Sequence, residues 1–491
     1  MKYDFNISED VYRGLDLWML NDQLDDDELI YQINQFKEKG FYSVIARTYN
    51  GLKSDYPGKD FMHKMDVIVS EAKKCGLKIV LQAGYMPAAV PDIPHEYSMR
   101  YIFPIKTAEL QGTEKVIYKD GIWTYTELEK INAINLFDSE SVQYYILKTY
   151  EEMWSQFKEE YGETVIAVWV DEPRYNPAMI PWTSSISKCF HNKYGYKIED
   201  HIALLYHNTG DYKKVRYHYF TLLEEKMADH YFAQIRDWCH KNKLQFCGHL
   251  MGEELLSSQI SQACAIMPYY KYFDIPGIDM LRTEQNWSHN PIKPLTYLWD
   301  ENSVDVERMM YIPPVQCVSA AHQSGKKHIL CEMYGVSSTN LTFRDQMHLF
   351  DFFAANGINH QCIHALFYSI GGFRKRFYPQ QINVYQPFWN SYKNIKDYVA
   401  RVSKFISCGK KVCNVLVIHP LETAYGIFCG LLDKDEKTPW QTVNDFDKIH
   451  YRFIMSLFSN QIDFEYGDQF TMATESYAEN GSLIIGEMAY K

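Results

Sequence analysis

The sequence predicts an α/β chain: a (β/α)8 barrel of the TIM type over residues 1–409, then the start of a smaller α/β layer domain over 410–491. Three observations predict it. Short apolar runs alternate with amphipathic stretches of helical length, as βα units around a parallel sheet require. Eight such runs follow one another before the pattern changes near Gly409. The chain, at 491 residues, is long enough for one barrel and a second module.

The elements follow in order. Tyr12–Leu20 reads as the first strand. Asp25, Asp26, Asp27 and Glu28 then open a helix with acids at its positive end, and Gly40 caps it. Phe41–Arg47 is the second strand and Leu77–Ala83 the third, with a helix over 60–75 between them. An insertion, 84–137, carries Pro87, Pro91, Pro94 and Pro104, and within it Asp120-Gly121 reads as the turn of a β-hairpin. A helix over 138–161 precedes the fourth strand, Thr164–Val170. Helices over 183–194 and 215–241 lead to the fifth, Leu244–His249. Gly277–Leu281 is the sixth. Helices over 304–324 and 342–356 precede the seventh, Lys327–Glu332, and the eighth, Ile358–His364. Beyond Gly409, Lys411–His419 reads as a fully buried parallel strand, with a helix over 445–460 after it. That segment reads as the opening of a layer domain with no closing helix.

Composition narrows the function classes. With 46% hydrophobic and 23% charged residues, disorder and repeat arrays are excluded. A net charge of -12 argues against a nucleic-acid partner. No run approaches 18 apolar residues, so no membrane span is expected. The first ten residues carry acids where a signal peptide needs an apolar run. The 11 cysteines are scattered, with no CxxC, and read as free thiols of a reducing compartment. The expected location is cytoplasmic. Aromatics at 15% fit either a large core or stacking faces for sugar rings.

A barrel places its chemistry at the C-terminal ends of its strands. There the sequence puts Arg47 and Tyr49 after strand two, Asp171-Glu172-Pro173-Arg174 after strand four, and His249 with Glu253 and Glu254 after strand five. Arg282 and Glu284 follow strand six, Glu332 and Tyr334 strand seven, and His364 strand eight. Glycosidic bond cleavage needs one carboxylic acid to protonate the leaving oxygen and one carboxylate as nucleophile or base. Glu172 and Glu332 are the candidates for that pair. Taken singly, each could instead be structural, Glu172 on Arg174 and Glu332 on Lys326 or Lys327. Arg47, Asp171, His249, Glu253, Tyr334 and His364 are candidates to bind sugar hydroxyls, and Trp182 to offer a stacking face. His360 reads as core, and Ser338 and Thr339 as the cap region of the next helix. Phosphate-loop, GxGxxG, GxSxG and HExxH patterns are missing. Asp25–Asp27 lacks the glycine and glutamate of an EF-hand loop. The metal ligands are unknown, and the residues by themselves require no cofactor.

Several segments resemble the barrel of α-L-rhamnosidase-type glycoside hydrolases of family 106. Trp18 and Asn21 resemble that family's Trp-rich first strand. Asp171-Glu172, Trp182-Thr183 and Tyr194-Gly195-Tyr196 resemble its strand-four motif. Ser319-Ala320-Ala321-His322, Gly325 and Glu332 resemble its strand-seven motif. Asp351, Gly357, Asn359 and His364 resemble its last helix and strand. The resemblance runs from residue 12 to about 420. It implies a barrel, hydrolysis of terminal α-L-rhamnosides with inversion, and a calcium ion near the site. Glu172 and Glu332 match its motif carboxylates, His249 and Glu253 match its strand-five motif loosely, and no calcium ligand set is matched. A barrel followed by a flavodoxin-like layer also resembles the family 42 β-galactosidases, which are retaining and place Asn before the strand-four Glu, where this chain has Asp171.

The reading that follows is a glycoside hydrolase acting on a small oligosaccharide or glycoside, with Glu172 as general acid and Glu332 as base or nucleophile. Two others stand beside it. One is a non-catalytic carbohydrate-binding or regulatory barrel. The other is a metal-dependent isomerase or aldolase, which needs His249, Glu253, Glu284 and Glu332 to converge. A Glu172–Glu332 separation above about 12 Å, or their capture by Arg174 and Lys326, would defeat the hydrolase reading.

Overall fold

Alternation along the strands builds the barrel. Successive side chains of a strand point to opposite faces. Thus Leu15, Leu17 and Met19 of β1 (Leu15–Leu20) point inward with Ile45 of β2 (Ser43–Thr48) and Val80 of β3 (Lys78–Gln82). Ala167 and Trp169 of β4 (Val165–Asp171), Cys247 of β5 (Gln245–His249) and Ile275 of β6 (Ile275–Met280) join them. Leu330 of β7 (Leu330–Met333) and Cys362 of β8 (His360–Ile363) complete one apolar plug. Their neighbours Trp18, Val44, Ile79, Val168, Phe246, Ile278 and Cys331 belong instead to the larger cluster beneath the helices. This computed structural model describes residues 10–82, 92–281, 306–335, 337, 341–372, 374, 382–432 and 438–491.

All eight strands are parallel and pair in chain order, β1 with β2 through to β7 with β8. The eighth strand was expected as one run over 358–364. It is divided instead: His360–Ile363 pairs with β7, and Leu366–Phe367 pairs with Trp18 and Met19 of β1. The chain serves two neighbours in succession, and the second pairing closes the barrel. The result is the predicted (β/α)8 architecture.

Local signals set the helix ends. The Asp25 carboxylate accepts from the backbone N–H groups of Asp27 and Glu28 and caps the helix Asp26–Glu38. The helix Lys59–Cys75 ends at Gly76, whose φ of 75° suits the left-handed cap. The helix Lys393–Ser407 is tied to β1 by an ion pair of Lys396 with Asp16, 2.7 Å long and fully buried. Among the described residues no helix is long and apolar enough to cross a membrane. All 11 cysteines are unpaired, and most are buried.

The hairpin expected in the insertion is present. Lys115–Lys119 and Trp123–Ile134 pair antiparallel, and the Asp120 carboxylate accepts from the backbone N–H of Trp123 at the turn. Ser98–Lys106 adds a third strand, and Ile180–Pro181 from the loop after β4 adds a fourth. The insertion thus packs on the loop that follows Glu172.

In the C-terminal segment only Leu416–Ile418 of the expected buried strand is extended. It pairs in parallel with Glu465–Gly467, and an antiparallel meander over 476–490 follows. Full burial does not hold: Ile418 is 56% exposed and Val412 79%. A two-stranded pair leaves one edge and part of each face open, whereas burial on both faces needs neighbours on each side.

Candidate active site

The alternation that fills the barrel also aims its polar groups. The next inward position beyond Ile45 is Arg47, beyond Trp169 is Asp171, beyond Cys247 is His249, beyond Leu330 is Glu332 and beyond Cys362 is His364. Two inward positions beyond Ile275 comes Asp279. Register places Asp171 opposite His249 and Asp279 opposite Glu332 on neighbouring strands. Gly335 leaves space for the His364 ring, since a Cβ there would lie 2.5 Å from Nδ1.

His249 is the hub, with 1% of its side chain exposed. Its Nε2–H donates to Glu332 Oε2 at 2.8 Å, Asp171 Oδ1 lies 3.4 Å away, and Nδ1–H donates to the Leu250 carbonyl at 3.3 Å. Both ring nitrogens face acceptors, so the imidazole is a cation. Burial alone would lower its pKa, but the Glu332 charge and hydrogen bond, then Asp171 and Asp279, raise it well above the ordinary value. Glu332 responds in the opposite sense. Burial pushes its carboxyl up, and His249, His364 and Arg47 pull it below the ordinary range. His364 Nε2 stands 4.0 Å from Glu332 Oε1, and burial brings that imidazole down to about 4, so it is neutral at pH 7. Arg47 pairs with Asp171 at 2.5 Å, both buried.

Glu172 lies one residue past the strand, at φ 50°, an uncommon backbone region for a residue with a side chain. Its backbone N–H donates to the His249 carbonyl at 3.3 Å. Burial first, then the Asp171 charge, raises its carboxyl above the ordinary value; Glu332 adds to this, while His249 and Arg174 oppose it. Arg174 touches Glu172 Oε2 at 3.4 Å from a partly exposed position. An oxygen of Glu172 lies within 4.8 Å of a His249 nitrogen, and Glu332 lies on the same ring. Through the ring, oxygens of the two glutamates come within about 10 Å of each other, below the roughly 12 Å that would defeat the pairing. Glu332 is therefore engaged by His249 rather than by Lys326, which sits near Asp274 and Arg236.

Arg47, Asp171, Glu172, His249, Glu332 and His364 are brought together as the sequence suggested. Glu253 stands behind them: its Oε1 accepts from the Tyr270 hydroxyl at 2.9 Å and its Oε2 from the Asp279 N–H at 3.3 Å. Burial pushes its carboxyl up to about 8, so it is mostly protonated at pH 7. Trp182 and Tyr334 are not at the mouth. Trp182 is 4% exposed in the outer core, beside the strand that pairs with the insertion, and offers no open face for a sugar. Tyr334 adopts φ 81°, and its hydroxyl donates to the Gln346 carbonyl and accepts from Gln361, outside the barrel. Arg282, Glu284, Ser338 and Thr339 lie outside the described residues. His360 is fully buried, as expected. Asp279 was missed by sequence reasoning. The signal was available in its even spacing from Ile275, the same alternation that marks Glu332.

Two triads bring ligand-type atoms within 4.8 Å of one another: Asp171, His249 and Glu332, and Glu172, His249 and Asp279. Calcium takes six to eight oxygen ligands. Both triads here depend on one imidazole whose nitrogens donate to Glu332 and Leu250. Among the described residues this donor set does not fit calcium.

No family model matches the sequence, and no curated protein sequence matches it. The fold is similar to that of solved structures. A rhamnosidase from Novosphingobium sp. PP1Y aligns with a TM-score of 0.70 at 11% identity, over 99% of this chain and 66% of that one. A catalytic mutant of a family 42 β-galactosidase from G. stearothermophilus aligns with a TM-score of 0.51 at 9% identity, over 93% of this chain and 66% of that one. This chain thus spans slightly less than two thirds of each, and at these identities the likeness is one of fold.

Proposed function

We propose that this chain is a glycoside hydrolase that removes a terminal sugar from a small oligosaccharide or glycoside, with terminal α-L-rhamnosides as the first glycone to test. One observation carries the reading. Two glutamates on one imidazole hub are driven to opposite protonation states, Glu172 toward the acid and Glu332 toward the carboxylate. Such a separation supports Glu172 as the acid and Glu332 as the base of a two-carboxylate mechanism. Fold likeness to a rhamnosidase and a β-galactosidase agrees with it.

In this mechanism Glu172 gives its proton to the glycosidic oxygen as the C–O bond breaks. Glu332 either draws a proton from an attacking water or attacks the anomeric carbon itself. His249 pairs with Glu332 and Arg47 with Asp171, and the Glu332 carboxyl is held below its ordinary range. Asp171, Arg47 and His364, which surround this hub, are the polar groups proposed to meet sugar hydroxyls. Separations of about 5–5.5 Å give retention and about 6.5–9.5 Å inversion, which NMR of the first-formed sugar reads directly. The test is a panel of nitrophenyl glycosides, α-L-rhamnoside and β-D-galactoside included, with Glu172→Gln and Glu332→Gln beside the wild type. Release from one sugar, lost in Glu332→Gln and strongly reduced in Glu172→Gln, is expected. Wild-type turnover in either variant would overturn the assignment.

A further inference from the structure

We propose that Asp279 and Glu172 form a carboxyl dyad that holds one proton between them, with Asp279 the positioning residue that keeps Glu172 in its acid form. This deepens the glycosidase reading and rests on it. An oxygen of each carboxyl lies within 4.8 Å of the other and of a His249 nitrogen. Asp279 points inward from β6, opposite Glu332 in register, and its Oδ1 is buried with no hydrogen-bond partner among the described residues. Two half-buried carboxyls at that range do not both ionise readily: the first proton leaves and the second is retained by the pair.

The surrounding charges favour the same state. Asp279 is faced by Glu332 from β7, His249 from β5, Glu172 from the end of β4 and Glu253 from the segment after β5. Glu172 is faced by Asp171, His249, Arg174 and Glu332. Asp171 and Glu332 already use the charges of Arg47 and His249. Among the described residues, a second negative charge on the dyad would have the partly exposed Arg174, 3.4 Å from Glu172, as its remaining counter-charge. Burial and the neighbouring acids also raise both carboxyls. In the reaction the proton of Glu172 passes to the glycosidic oxygen and leaves with the alcohol. With inversion the dyad recovers one proton from solvent after product release; with retention it takes the proton from the water that hydrolyses the glycosyl-enzyme.

The test is the pH dependence of kcat/KM for wild type, Asp279→Asn and Asp279→Glu on the nitrophenyl glycoside that the wild type cleaves. A neutral amide removes the neighbouring negative charge, so the basic limb of Asp279→Asn is expected about one unit or more lower, and Asp279→Glu should restore it toward wild type. A merely structural role would lower the curve without moving the limb. A basic limb within about 0.3 unit of wild type overturns the dyad. A second readout needs neither turnover nor a folded Asp279 variant. The infrared band of a protonated carboxyl that disappears in Glu172→Gln must titrate above about pH 6 in the wild type. If that substitution removes no such band, the dyad is wrong. Should the wild type cleave no glycoside, the hydrolase reading fails, and the infrared titration still decides the dyad.

Discussion

Replacing His249 with Gln should move the whole pH profile upward. His249 lies 2.8 Å from Glu332 and 3.4 Å from Asp171, buried on all sides. Two unit charges about 4 Å apart interact by about 4 kcal/mol at the effective dielectric of such sites. That corresponds to about 3 pKa units on Glu332. Gln keeps one donor, so a rise of about 2 units in Glu332 is expected. Glu172 loses an opposing positive charge as well, so its carboxyl rises further. Both limbs of the kcat/KM profile should therefore shift to higher pH, the acid limb most clearly, because Glu332 loses the charge that holds it low. The assay is kcat/KM against pH on an active glycoside, with a melting curve at each pH to exclude unfolding. A profile lowered in height with both limbs in place would refute the electrostatic role given to His249.

Other predictions follow from the same geometry. Stability should fall as pH rises from about 5 to 8.5. The buried Glu253 has its pKa raised to about 8, and such an acid favours folding below its unfolded value near 4.3, a preference lost as pH climbs to 8. His249, also raised, acts in the same direction from its unfolded value near 6.5 upward. Thermal melts should show the decline, and Glu253→Gln should flatten it. Lys396→Met leaves Asp16 buried, with the Ile363 N–H as its remaining donor among the described residues, and a loss of about 3 kcal/mol is expected in urea titration. No change would mean that Asp16 is protonated at no cost. Gly248→Ala should not yield a native barrel: at φ 146° its Cβ would meet the Val170 carbonyl oxygen at 2.0 Å, between β4 and β5. A normal melting temperature would refute that packing.

Much of this was legible in the sequence because one period governs both core and site. The spacing that marks Leu330 as core also aims Glu332 inward, and Trp169 and Cys247 do the same for Asp171 and His249. Glu172 follows as the residue where the strand turns. What was not legible depends on contacts distant in sequence. Trp182 is covered because Ile180–Pro181 pairs with a strand of the insertion some 80 residues earlier. Tyr334 turns outward because the backbone at its own position adopts a left-handed φ, which a tyrosine does not advertise. The exposure of Ile418 reflects how many strands flank it, a property of topology rather than of its apolar run.

The division of labour between Glu172 and Glu332 is best tested by leaving-group dependence. Glu172→Gln should keep measurable turnover on a dinitrophenyl glycoside, whose leaving group needs no proton. It should lose about 100-fold to 10,000-fold on an alkyl glycoside of the same sugar. Glu332→Gln should lose both. Equal losses for Glu172→Gln on the two substrates would contradict its role as the proton donor.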